Sequence, residues 1–303
     1  QGILGALAVT NFFGFSAVNV DNSADTAARI VILSDQPSTT FNGFYNVISG
    51  LAPAAIRLFG RNLRSLAIRA GNAGNTFRIH ATPSSGTPGG LTTTISTGEG
   101  NDQVNVNGTS GALTLNGQGG SNSIAVGLNS PGEEATSSLD RINAPINVLG
   151  LSNSLLVADA ASTTSHVYVM DRNFVQREGK ARIDFQNLSR LSLNAGQGTD
   201  QINVRDTISP PIGFLTATTI FRSGGDDRIS ISRTTGHMAI NVGGNSVIEV
   251  GNALNSLDNI QGRISVTPSG AGNYVTLILN DQAATTGQQF DVAPGAFGPL
   301  FQR

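Results

Sequence analysis

Of the chain's 303 residues, 13% are charged, against roughly 25% in an average soluble domain. Hydrophobic residues reach 39% and glycines number 37, so a core is affordable, compositional disorder is excluded, and the polar surface must be Ser, Thr, Asn, Gln and Gly. A net charge of −2 with Lys180 as the sole lysine excludes the clustered cations that nucleic acid or an anionic membrane would require. The absence of Cys excludes disulfides, thiolate metal sites and a cysteine nucleophile.

In chain order, Gly2–Val9 is apolar but too short to cross a bilayer. A chain opening on Gln1 rather than Met reads as the product of signal-peptide removal, and hence as a secreted, extracellular or cell-surface protein. Alternating apolar segments then appear at Val18–Val20 and Val31–Asp35, period two predicting strands with one buried face. Ala52–Phe59 has the makings of a short helix, with Pro53 in its first turn. Its counterpart Phe174–Ile183 reads as strand, Gly turn, strand, so both are taken as β.

The chain repeats itself. Val31–Thr40 returns as Leu155–Thr164 and again as Leu277–Thr286, the aspartates Asp35, Asp159 and Asp281 lying 124 and 122 residues apart. Leu66 and Leu191 sit in matching phrases 125 apart, as do Thr97–Asp102 and Arg222–Asp227. Leu139–Ile142 matches Leu257–Ile260 at 118. A unit of about 122 residues therefore occurs about two and a half times. The expected layout is 1–29 as an edge or cap, 30–153 and 154–273 as full copies, and 274–303 as a partial third. Ser84–Gly90, Ser130–Ser138 and Ile208–Gly213 read as excursions and not as linkers.

Within each unit a Gly/Asx turn precedes each strand, as at Asp102–Val106, Asn122–Val126, Asp200–Val204 and Asp227–Ile231. The turn residues step by 27 (Asn75 to Asp102, Asp200 to Asp227) or 20 (Asp102 to Asn122). Such steps suit one coil of a parallel β-helix with three short strands per rung. The fold expected is all-β: a right-handed parallel β-helix, or β-solenoid. Antiparallel sandwich repeats would also alternate, but hairpin signals between neighbouring strands are missing.

The phrases Leu193–Val204 and Leu257–Val266 resemble repeats of large secreted bacterial surface and matrix proteins of the parallel β-helix type, and more distantly the haemolysin-type Gly/Asp nonapeptide. The resemblance spans nearly the whole chain and implies adhesion, surface coats or extracellular matrix. In a calcium-binding nonapeptide array, carboxylates of consecutive turns share each ion. Gly98, Gly100 and Asp102 match that pattern, as do Gly196, Gly198 and Asp200, whereas Asp227 has only Gly225 in register and no two nonapeptides are adjacent. These positions read as turns with Asx bonded to nearby backbone N–H groups. Asp102, Asp200 and Asp227 are the residues that would ligate calcium; otherwise no cofactor is expected.

No catalytic constellation emerges. Asp226–Asp227 could pair as general acid and base, but Asp227 recurs at the position of Asp102, and a catalytic residue is ordinarily unique. His80, His166 and His237 lack zinc spacing. Asn107–Thr109 and Asn187–Ser189 are glycosylation sequons. Aromatic and aliphatic residues mark both ends: Ile3, Leu4, Phe12 and Phe13 at one, Phe290, Phe297, Leu300 and Phe301 at the other. The expectation is therefore a non-enzymatic structural subunit of an extracellular filament, surface coat or adhesive matrix, self-associating head to tail through those residues. The competing reading is a carbohydrate-active or polysaccharide-binding β-helix protein, for which Tyr45, Tyr168 and Tyr274 are few stacking platforms.

Overall fold

The computed structural model describes residues 4–10, 14–37, 44–59, 63–84, 90–151, 153–209, 218–251, 253–270, 273–285, 291–295 and 298–302. Among them the chain is all-β with one 3-10 turn, Glu134–Thr136. It divides into two compact units. The first comprises residues 1–133, 139–154 and 180–186, and the second 134–138, 155–179 and 187–303.

The first unit holds β1 (Leu7–Val9), β2 (Ser16–Asp21), β3 (Ile30–Pro37), β4 (Phe44–Ser49), β5 (Ile56–Leu58), β6 (Leu63–Arg69), β7 (Thr76–Ile79), β8 (Thr92–Ser96), β9 (Gln103–Val106), β10 (Ala112–Asn116), β11 (Ser123–Val126) and β12 (Ile146–Leu149). From β6 onward, successive strands alternate between two parallel sheets. One runs β2-β6-β8-β10-β12, the other β3-β7-β9-β11, with the antiparallel strands β4 and β5 beyond β3. The strands thus fall into two rows. Outside these rows lies the isolated parallel bridge Thr109↔Ile142.

β13 (Asn153–Ala158) passes from the first unit to the second. There follow β14 (Val167–Asp171) and β15 (Phe174–Arg177), the strand β16 (Ile183–Phe185) that returns to pair with β12, then β17 (Leu188–Asn194), β18 (Gln201–Val204), β19 (Thr218–Ser223), β20 (Arg228–Ile231), β21 (His237–Val242), β22 (Ser246–Val250), β23 (Ile264–Pro268), β24 (Val275–Leu279), β25 (Asp291–Gly295) and β26 (Gly298–Gln302). Alternation resumes: β17-β19-β21-β23 form one parallel row and β14-β18-β20-β22-β24 the other. The Phe174–Ile183 segment is strand, turn, strand, and Ile56–Leu58 is a strand; neither is helical.

In-register stacking makes the core. In the first unit Leu66, Thr93, Leu113, Ile146 and Ile183 form one column and Ile68, Ile95, Leu115, Val148 and Phe185 the next. In the second, Tyr168, Ile202, Ile229, Ile248 and Leu277 line up likewise. Most of these side chains are fully buried. Each rung removes the apolar face of the one before from water, so burial accumulates by nearest neighbours.

The structure shifts one landmark of the repeat. Asp159 donates its N–H to Asn194 O and accepts from the N–H of Ser162. Those bonds are reproduced in the first unit by Asn22, with Arg69 O and the N–H of Asp25, and not by Asp35. Asp35 instead lies in the antiparallel pair β3–β4, opposite Asn46. Ile30–Leu33 is the counterpart of Val167–Met170, since His80 N–H reaches Leu33 O as Arg205 N–H reaches Met170 O. Alternating apolar residues ending in Asx describe several strands of this chain, and the longer β3–β4 hairpin slid the match onto a different one. β2, β13 and β24 are accordingly the same strand of the repeat.

Candidate functional site

The turn residues found by spacing form columns of interlocked side chains. In the first unit, the N–H of Arg29 donates to Asn75 Oδ1 at 3.0 Å, that of Asn75 to Asp102 Oδ1 at 2.7 Å, and that of Asp102 to Asn122 Oδ1 at 2.9 Å. Asn122 Nδ2 then donates to Asn153 Oδ1 at 3.0 Å. In the second unit, His166 N–H reaches Asp200 Oδ1 and Asp200 N–H reaches Asp227 Oδ1, each at 2.8 Å; Asp227 N–H ends on Ser246 Oγ at 3.1 Å. The expected bond to a nearby backbone N–H is real, but its donor is the equivalent turn of the preceding rung. At Asn75, Asp102, Asp200 and Asp227 the N–H closed in this way is buried.

Asn suits such a column better than Asp. Asn75 Nδ2 donates to the carbonyls of Gly71, Ala73 and Thr97 while its Oδ1 accepts. Asp102 and Asp200 have no amide to offer, and their Oδ2 atoms are buried without a hydrogen-bond partner. Desolvation consequently raises the pKa of Asp102, Asp200 and Asp227. Asp200 reaches about 6, burial being reinforced by the nearby charges of Asp227 and Asp159. In Asp227, Ser223 Oγ donates to Oδ2 and offsets part of that effect.

These are the three residues that the nonapeptide pattern nominated for calcium. They stand on different rungs, each with Oδ1 engaged by a backbone N–H. Among the described residues, no three His, Cys, Asp or Glu side chains gather to hold a metal. Asp226 does not join Asp227 in a catalytic pair: it points to the surface, where Oδ1 accepts the N–H of Asn245.

A second set of columns escaped the spacing search. Thr82 Oγ1 donates to Gly111 O and accepts the Gly111 N–H; Thr109 does the same with Ala144, Thr207 with Gly236, and Thr234 with Gly262. All four threonines are buried. The signal was present, since Thr82 and Thr109 recur as Thr207 and Thr234 at the same separation of 125. Thr109 is the hydroxyl residue of one sequon, so its conservation of type within the repeat has a structural cause.

The second unit also buries an ion pair. Arg177 Nη1 lies 2.6 Å from Asp159 Oδ2, to which Tyr168 Oη donates at 2.7 Å, with all three side chains at most 2% exposed. Burial, and after it the Asp159 carboxylate, pushes the Tyr168 phenol up. Tyr168 is therefore core and no platform for a sugar, whereas Tyr274 is exposed.

Of the end residues, Ile3, Phe12, Phe13, Phe290 and Phe297 lie outside the described residues. Leu4 is exposed, and Leu300 and Phe301 belong to β26, which pairs antiparallel with β23 and β25. What the structure adds is the state of two strands. β2 has β6 as its sole sheet neighbour and β24 has β22 as its own, among the described residues. Neither strand contains a buried residue. Phe15 stands exposed beside β2, as do Tyr274, Ile278 and Leu279 at β24. No family model, curated protein or solved structure matches the chain.

Proposed function

We propose that the chain is a β-solenoid scaffold, an extracellular structural subunit that joins copies of itself head to tail. The observation that carries this is the pair of parallel strands β2 and β24, each leaving one edge of N–H and C=O groups without a strand beside it among the described residues. Such an edge is a template for another strand unless it is blunted by charge, Pro or a covering element. β24 reads Val-Thr-Leu-Ile-Leu and carries neither charge nor Pro. A parallel row that adds one rung at a time gives contacts that do not close into a ring, and those make filaments.

The polar interior supports the same reading. Its buried Asp, Asn and Thr side chains are turned inward to fasten rung to rung, and the surface they leave is poor in charge. Secretion to a cell surface or matrix, with a surface polysaccharide as a further partner, belongs to this proposal. Light scattering and negative-stain imaging of the purified chain test it: fibres or a ladder of oligomers are expected, and a monodisperse monomer of 31.2 kDa at all concentrations overturns it.

A further inference from the structure

Beside β2, in the first unit, lies a half-open cavity of about 710 Å³. Val20, Asn22, Ala24 and Asp25 form one wall; Leu51 and Ile56 are among the residues of the other. Arg29 Nε sits 2.5 Å from Asp25 Oδ2 and holds that carboxyl well below its usual range.

The equivalent turn is covered in the other two copies of the repeat. After β13, the N–H groups of Ala160 and Ala161 donate to Ser137 Oγ and Ser137 O, each at 3.0 Å. After β24, the N–H of Ala283 donates to Asn255 O at 3.0 Å, and the N–H of Leu257 donates to Asp281 Oδ1 at 2.9 Å. Ser137 and Asn255 are themselves equivalents, 118 apart, in the loop that follows β11 and β22. The cavity in the first unit stands where that loop stands twice elsewhere, and Asn22 stands where Asp281 accepts its bond.

The strands tell the same story. In β13 Leu155 and Val157 are 1% and 0% exposed. Their equivalents Val18 and Val20 in β2 are half-buried, as is Leu277 in β24, whereas Leu279 is 38% exposed. Each terminal strand is a β13 covered from one side: β2 keeps the later neighbour, β6, and β24 keeps the earlier one, β22.

We infer that the cavity beside β2 is the seat of the Leu254–Leu257 loop of a second copy, whose β24 gives up its place on β22 to the incoming β2. The inference rests on the head-to-tail reading and specifies its joint. Among the described residues both loops of this type are already seated on their own turns, so the occupant comes from another copy. After the exchange one strand, β2, has β22 on one side and β6 on the other, which is the environment that buries β13. The alternative joint, β24 laid directly against β2, leaves Asn255 two strand spacings from Ala24, roughly 10 Å.

The chain has no cysteine, which makes the test clean. Ala24→Cys and Asn255→Cys variants are mixed and oxidised, and a parallel mixture uses Ala24→Cys with Ala283→Cys. A disulfide needs Cα atoms within about 7 Å, so exchange predicts a covalent heterodimer in the first mixture and little in the second; the reverse pattern overturns it. A Glu249→Cys, Ile278→Cys variant places cysteines on paired positions of β22 and β24. Oxidation of that variant locks β24 down: assembly is expected to vanish on oxidation and return on reduction. Assembly that ignores the lock sinks the exchange and leaves head-to-tail growth standing, while a wild-type chain that never assembles sinks both.

Discussion

Asp227 receives the backbone N–H of Asp200 on its Oδ1 at 2.8 Å, across 27 positions of chain, and both carboxyl groups are buried. The same bond joins Asn75 to Asp102 in the first unit. A residue that makes a turn in one rung thus closes the turn of the rung before it.

Asp200 should make the protein more stable at mildly acidic pH. Its pKa is raised from 3.8 to about 6 by burial and by Asp227 and Asp159, so the folded state holds the proton more tightly than the unfolded chain. The stabilisation is complete below about pH 3.8 and is lost as pH rises through about 6. Asp102 and Asp227 shift in the same direction, while Asp21 and Asp25, whose pKa values are lowered, titrate beneath this window. The melting temperature by circular dichroism should fall between about pH 4 and pH 6, the interval bounded by the unfolded and folded pKa values of Asp200. Asp200→Asn, which installs the residue found at position 75, should flatten that slope and gain up to about 3 kcal/mol at pH 8. Equal slopes in the variant and the parent would refute this.

Breaking the buried pair should be costly, and removing it whole should not. Arg177→Met takes the guanidinium away from the buried Asp159 carboxylate, to which Tyr168 still donates, and a loss of about 3–5 kcal/mol is expected in urea unfolding. Replacing the group together, as Asp159→Leu, Arg177→Met and Tyr168→Phe, should recover most of that loss. A triple variant no better than the single one would show that the pair contributes more than its own neutralisation.

Thr234→Val keeps the shape and removes the hydroxyl that both donates to Gly262 O and accepts the Gly262 N–H. Gly262 O loses its hydroxyl donor, while the Gly262 N–H keeps its bond to Thr234 O at 2.8 Å, and a loss of about 1–3 kcal/mol is expected. Thr234→Ser should retain most of the stability in the same urea titration. Equal losses in Val and Ser would point to methyl packing instead of the hydroxyl.

Gly98→Ala should prevent the first unit from closing its turn. Gly98 has φ +105, and a Cβ there would meet the carbonyl oxygen of Gly71 on the preceding rung at 2.0 Å. Backbone strain and clash act together. Hydrogen exchange should accelerate around Gly71–Asn75 and Thr97–Asp102 while Leu188–Val204 stays protected; unchanged protection near Gly71 would contradict the close approach.

Much of this architecture is legible in the one-dimensional pattern because each rung repeats the problem of the last. Alternating Val, Ile and Leu must hide one face, Gly and Asx must turn the chain, and both recur at a spacing of 125 between Asp102 and Asp227. Those requirements are local, so the sequence alone determined an all-β chain of stacked, recurring strands and named the turn residues that hold it. Partnership across the stack is another matter. Only the folded chain decided that Asp102 serves Asn75, that the strands fall into two mostly parallel sheets, and that Asn22, not Asp35, matches Asp159. Arg177 and Asp159 meet although 18 residues separate them with no periodic signal. A contact between rungs depends on the summed lengths of every loop between them, and that sum is settled only when the rungs pack.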